Sequence, residues 1–213
     1  MPLSIVIALD RSFSMAGSRL ATAKRAASAF IQALRRDDEV MVLAIGSEVQ
    51  TIAPPVPARD AAQIAWDAID AWGTTPLYDV TRDAIDIIQS RRGRRALLLI
   101  SDGVDRDSRI DATTLIEHAR RTDVLVYPVA IARAQPPVFV ELAGVTGGRS
   151  IAVADPRQLE PALSGLAREL RTQYLIGYAP AREPAASAAW HAIDVRVDRP
   201  GVRVRARDGY WSR

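Results

Sequence analysis

Five side chains that end in oxygen stand at three separated places in this chain. Asp10, Ser12 and Ser14 lie in "DRSFS", Thr75 in "GTTP" and Asp102 in "SDG". An acid and two hydroxyls at alternating positions, directly behind an apolar run, admit several chemistries. They could cap a helix, hold a phosphate, supply a catalytic acid or form half of a metal site. The donors include no nitrogen or sulfur, and hard oxygen donors select magnesium, calcium or manganese. Two carboxylates and three neutral hydroxyls surround such an ion only partly. One coordination position would stay open to a carboxylate from another molecule.

The remaining composition narrows the alternatives. With no cysteine, disulfides and thiolate metal sites are excluded. Two histidines, His118 and His191, leave a zinc site or a Ser-His-Asp triad little to draw on. A net charge of +3, carried almost entirely by arginine, does not argue for a nucleic-acid partner. No apolar run approaches the ~20 residues that span a bilayer. The start "MPLSIVIALD" lacks a basic region and a small-residue cleavage site. A cytoplasmic protein is expected if Met1 is the native start, and an extracytoplasmic one if this is an excised domain.

The elements that must position these residues alternate. "LSIVIAL" (3–9) is a β-branched run expected of a strand buried on both faces. Apolar residues at helical spacing predict a helix over 16–35. Strands are expected at 38–46 and 48–53 around Gly46-Ser47, then helices at 58–72 and 76–90. A strand at 94–101, a helix at 111–121, a strand at 123–132 and a short helix within 136–148 follow. A strand at 149–154 and a helix at 156–171 complete the pattern. This order predicts an α/β fold: a doubly wound, mostly parallel six-stranded sheet with one antiparallel edge strand and helices on both faces.

Residues 1–171 form that core, and 172–213 read as a C-terminal β appendage packed on it. The appendage is expected to hold a strand at 172–180 and two alternating strands at 190–210 around a Pro200-Gly201 turn. In "VRVRAR", Arg203, Arg205 and Arg207 share one face and Val202, Val204 and Ala206 the other. The pattern suggests a half-buried strand whose charges block edge pairing. Tyr174 and Tyr178 share a strand face and are expected to pack between appendage and core.

In open α/β sheets, ligands bind beyond the carboxyl ends of the strands, where the strand order reverses. Asp10 and Asp102 directly follow the first and fourth strands, and Thr75 leads into a helix. These residues can therefore converge. Taken singly, Ser12 or Ser14 would be a helix cap, Thr75-Pro76 a cap before proline, and Asp102-Gly103 a turn. All of them at the right strand ends favour the metal site.

The pattern closely resembles the von Willebrand factor A domain and its metal-ion-dependent adhesion site: Asp-x-Ser-x-Ser, a distant Thr and a distant Asp. The resemblance implies that Ser12 and Ser14 ligate the metal directly. It implies that Thr75 does so directly or through water, and that Asp10 and Asp102 act largely through water. Thr75, rather than Thr74, matches the family threonine. Phe13 stands where glycine is common and should project at the metal rim with Thr74 and Asp105; Asp105 and Asp107 are expected to hydrogen-bond the loop or stay solvated. "TPLYDV", "RRALLLISDGVD", "RTQYLIGYAP" and "RPGVRVRARDGY" look like a bacterial subfamily often called VWFA-related proteins. The implied cofactor is Mg²⁺, or Mn²⁺ or Ca²⁺. The implied role is a non-enzymatic module that binds a protein ligand through an acidic side chain.

The competing reading is a Mg²⁺-dependent phosphohydrolase of haloacid-dehalogenase type with Asp10 as nucleophile. Such an enzyme wants a second aspartate two residues on as general acid, and Ser12 stands there. A dinucleotide enzyme is disfavoured because no G-x-G-x-x-G follows the first strand.

Overall fold

The computed structural model describes residues 2–174, 176–178 and 189–212. Strand β1 (Leu3–Asp10) is buried along its whole length. It pairs in parallel with β2 (Glu39–Ile45) on one side and β4 (Arg94–Ser101) on the other. Beyond β2 lies β3 (Val49–Pro57), antiparallel, and beyond β4 lie β5 (Val124–Ala130) and the two-residue β6 (Ile151–Ala152). The sheet order is β3-β2-β1-β4-β5-β6. The winding reverses at β1/β4, as the sequence predicts. Pro54 and Pro55 sit in edge strand β3, where a missing N–H costs no ladder bond and blunts the edge.

Alternation along β1 divides the core in two. Leu3, Ile5, Ile7 and Leu9 pack with α1 (Ser18–Gln32) and α5 (Leu159–Thr172). Val6 and Ala8 face the opposite layer, formed by α2 (Leu77–Gln89), α3 (Ala112–Arg120) and α4 (Pro137–Thr146). Both layers are continuous apolar surfaces, so the sheet is held rigid from each side.

Three expectations need correction. The helix over 58–72 is instead two 3₁₀ turns, Ala58–Gln63 and Trp66–Ala68, joined by extended residues. This segment starts beside Asp38, at the lower end of the sheet, and ends where the Trp72 N–H meets the Arg11 carbonyl at the upper end. A 3₁₀ turn rises about 2.0 Å per residue against about 1.5 Å for an α-helix, so the span overrides the helical periodicity.

The strand over 172–180 is absent at its described residues. Leu175 and residues 179–180 lie outside them. Tyr174 is 93 % exposed rather than packed, while Tyr178 meets Tyr210 edge-on.

The paired strands of 190–210 shrink to β7 (Trp190–Ala192) and β8 (Gly209–Trp211). Val202 and Val204 are exposed, so "VRVRAR" is not a half-buried strand. Its arginines hold the tail to the core instead. Arg207 donates to the carbonyls of Arg120, which ends α3, and of Thr122 just beyond it, and Arg205 pairs with Glu169 at 2.8 Å.

Candidate functional site

The carboxyl ends of β1 and β4 place Asp10 and Ser101 side by side at the point where the winding reverses. Asp10 is fully buried. Its Oδ1 accepts the Ser12 N–H at 2.8 Å and the Thr75 hydroxyl at 3.0 Å. Its Oδ2 accepts the Ser101 hydroxyl at 2.5 Å. No cation pairs with it among the described residues. Burial pushes the Asp10 carboxyl above the usual carboxylate range, against the pull of these hydrogen bonds.

The loop after β1 turns at once into a 3₁₀ turn, Phe13–Met15, so Ser12 and Ser14 come to one side. Their Oγ atoms lie 3.0 Å apart. Neither caps a helix: the Ser12 side chain makes no cap bond, and the residue before α1 is Gly17. Thr75 is 2 % exposed, whereas Thr74 is exposed and exchanges bonds with the Ser47 hydroxyl. This structure therefore selects Thr75 as the inward hydroxyl. Asp102 is half-buried, and its Oδ1 accepts the Val104 N–H at 3.1 Å.

Asp105 accepts the Tyr78 N–H and the Ser108 hydroxyl, which ties the third loop to the start of α2. Nearby, Asp79 accepts the N–H groups of Arg109 and Ile110 and the Arg109 side chain. Burial pushes the Asp79 carboxyl up, but these bonds outweigh it and hold the group below its usual range. Asp107 adopts a left-handed backbone, φ 66°, at the tip. Phe13 projects outward, 65 % exposed.

Ser101 was not singled out from sequence. The only signal was its place at the last strand position before Asp102, where strand parity points it beside Asp10. A hydroxyl that gives its proton to Asp10 keeps its lone pairs for other partners. Thr75 is in that state, whereas Ser101 already accepts the Gly103 N–H at 3.0 Å.

The donor set fits a small hard cation. Neighbouring ligands of an octahedral Mg²⁺ at 2.0–2.1 Å stand ~2.9 Å apart, and the Ser12–Ser14 separation is close to that. Among the described residues no three His, Cys, Asp or Glu side chains gather, so a cation here would rely on hydroxyls. A buried carboxylate with neutral donors alone also lacks a counter-charge, which such an ion would provide.

Fold and site together define a doubly wound α/β domain with a carboxylate-and-hydroxyl cluster at its switch point. Residues 5–104 match the von Willebrand factor type A domain family. Over 105 residues it is 30 % identical to the magnesium-chelatase 67 kDa subunit of Heliobacterium mobile. That match takes in 46 % of this chain and 16 % of the subunit. Among solved structures, the fold is shared with a von Willebrand factor type A protein from Catenulispora acidiphila. The TM-score is 0.65 at 20 % identity, covering 78 % of this chain and 42 % of that one. The ArnB paralog VWA2 from Sulfolobus acidocaldarius aligns with a TM-score of 0.65 at 19 % identity, covering 76 % and 44 %.

Proposed function

We propose that this chain is a divalent-metal-dependent protein-binding module. Ser12, Ser14 and Thr75 would hold Mg²⁺, with Asp10 and Asp102 behind them, and the ion would accept an Asp or Glu carboxylate from a partner. The observation that carries this reading is Asp10: fully buried, ringed by hydroxyl and amide donors, and without a cation among the described residues. Few purely structural roles justify an ionisable group so placed. The bacterial VWFA-related subfamily, with residues 172–213 as an appendage to a 1–171 core, is part of the same proposal.

The chain's own residues do the positioning. Ser101 and the Ser12 N–H hold the Asp10 carboxylate in one orientation. Asp10 in turn orients the Thr75 hydroxyl, and Asp105 fixes the loop that carries Asp102. No residue stands ready as a general acid two positions after Asp10, so a phosphohydrolase is the weaker reading. The relation to a magnesium-chelatase subunit keeps a part in an enzyme assembly within view.

Proton relaxation of Mn²⁺-loaded protein tests the proposal. A peptide carrying one free Glu carboxylate should displace metal-bound water and lower the relaxation enhancement. The Gln peptide should not, and Thr75→Ala should bind Mn²⁺ far more weakly. Equal effects of Glu and Gln peptides would refute carboxylate capture. Hydrolysis of p-nitrophenyl phosphate that survives Thr75→Ala but not Asp10→Ala would favour the hydrolase instead.

A further inference from the structure

Between residues 2 and 172, the exposed large apolar side chains are Phe13, Trp72, Val104 and Val140. All four lie at the pole that carries the candidate metal site. Phe13 follows Ser12 in the first loop, Trp72 stands just before the Gly73–Thr75 loop, and Val104 is two residues past Asp102. Val140 belongs to the first turn of α4, which follows the upper end of β5. The close approach of Gly103 to Pro136 sets the Asp102 loop beside that turn; a Cβ at Gly103 would lie 2.3 Å from the Pro136 ring.

Their placement is built in by the backbone. The Phe13 N–H donates to the Gly73 carbonyl at 3.1 Å, and the Trp72 N–H to the Arg11 carbonyl at 2.7 Å. The Arg11 guanidinium lies against the Trp72 ring, 5.6 Å from its centroid. Large apolar groups gathered on one face mark a contact surface rather than a random scatter. Exposed Arg19, in the first turn of α1, and exposed Arg106, in the loop after Asp102, are tied to the same loops: Arg19 donates to the Ser14 carbonyl and the Arg106 N–H to the Thr75 carbonyl. Neither has an acidic partner among the described residues.

We propose that this collar selects the partner: a protein segment whose metal-directed Asp or Glu is flanked, within two positions, by large apolar side chains. The inference rests on the metal-site reading above. Asp10, Ser12 and Thr75 are buried while Phe13, Trp72 and Val104 are exposed, so a carboxylate directed at the metal would leave its neighbours to meet these three side chains. The unpaired arginines favour an acidic segment over a basic one. An anionic membrane also offers charge and apolar contact, but buried Asp10, Ser12 and Thr75 call for one projecting carboxylate rather than a flat surface.

The test is selection of a phage-displayed heptapeptide library with a fixed central Asp on the whole chain in Mg²⁺, with elution by EDTA. Enrichment of Leu, Ile, Phe, Tyr and Trp beside the Asp is expected. A Phe13→Ser/Trp72→Ser/Val104→Ser variant should lose roughly tenfold or more in affinity for a selected peptide. Its thermal stabilisation by Mg²⁺ should equal the wild type's, which separates a lost collar from a lost metal site. Flanking positions that match the input library, or no EDTA-eluted clones from a chain that Mg²⁺ does stabilise, would overturn the collar alone. Sedimentation with phosphatidylserine vesicles that ignores EDTA would overturn it in favour of a membrane. Absence of any metal stabilisation would overturn both the collar and the reading beneath it.

Discussion

The two ends of the sheet treat charge in opposite ways. At the lower end, charged groups find partners within the chain. Arg91 grips Glu39 with two bonds at 2.9 and 2.8 Å, Arg120 meets Asp208 at 3.0 Å, and Arg149 and Arg205 share Glu169. Arg207 reaches the carbonyls of Arg120, Thr122 and Gly209. At the upper end Asp79 pairs with Arg109 at 3.2 Å, but Asp10 and Asp102 have no cation and Arg19 and Arg106 no acid among the described residues. The lower end uses charge to hold the tail in place. The upper end leaves these four charges without partners of their own, as the proposed metal and ligand would require.

This contrast can be broken from either side, and the largest effect is expected below. Arg207→Ala removes three charge-assisted bonds and strands carbonyls at the end of α3 and just beyond it. A loss of about 2–3 kcal/mol is expected, independent of Mg²⁺, measured by urea unfolding with and without chelator. A loss that appears only in Mg²⁺ would join the two ends energetically and refute their separation.

Ser101→Ala acts above. It leaves a buried carboxylate oxygen short of a donor and makes Asp10 harder to ionise. About 1–2 kcal/mol should be lost in chelator, and calorimetric titration should show weaker Mg²⁺ binding. Unchanged Mg²⁺ affinity would remove Ser101 from the site.

Asp79 gives a smaller, pH-dependent effect. Its native carboxyl titrates below its unfolded value of ~3.9, so the native state binds this proton less readily. The stability it contributes is complete above ~pH 4 and is lost as pH falls through the lowered native value. Asp79→Asn should therefore flatten the urea-midpoint profile in that acid range and leave its shape near neutrality unchanged. Smallest of all, Phe13→Ser and Trp72→Ser should each change the unfolding free energy, measured in urea, by under about 0.5 kcal/mol, because exposed side chains contribute little to folding.

Much of this was legible in the sequence because it rests on local signals. The apolar run of β1 and the helical spacing of α1 and α2 foretold the sheet and its winding, and the polar residues at strand ends pointed to Asp10, Ser12, Ser14 and Thr75, which hydrogen bonds link, while Asp102 bonds only within its own loop. What failed depended on span or on distant partners. Residues 58–72 carry helical periodicity, yet they must reach from one end of the sheet to the other. "VRVRAR" alternates like a strand, but its arginines are drawn to helix-end carbonyls and Glu169 that no local pattern reveals. Ser101 escaped notice because a serine closing a strand looks ordinary until Asp10 is placed beside it. The collar was half visible: Phe13 stood out as a departure from the family pattern, whereas Val104 and Val140 gain meaning only when Gly103 and Pro136 meet.

The most direct test is thermal unfolding of the wild type and Asp10→Asn, each in EDTA and in Mg²⁺ at 100-fold over its dissociation constant. The wild type should gain about 2.7 kcal/mol from the metal, which for a chain of this size raises the midpoint by roughly 5–10 °C. Asp10→Asn should gain nothing and, freed of a buried charge, should be at least as stable as the wild type in EDTA. A wild type indifferent to Mg²⁺, Mn²⁺ and Ca²⁺, or an Asn variant that still responds, would contradict the account.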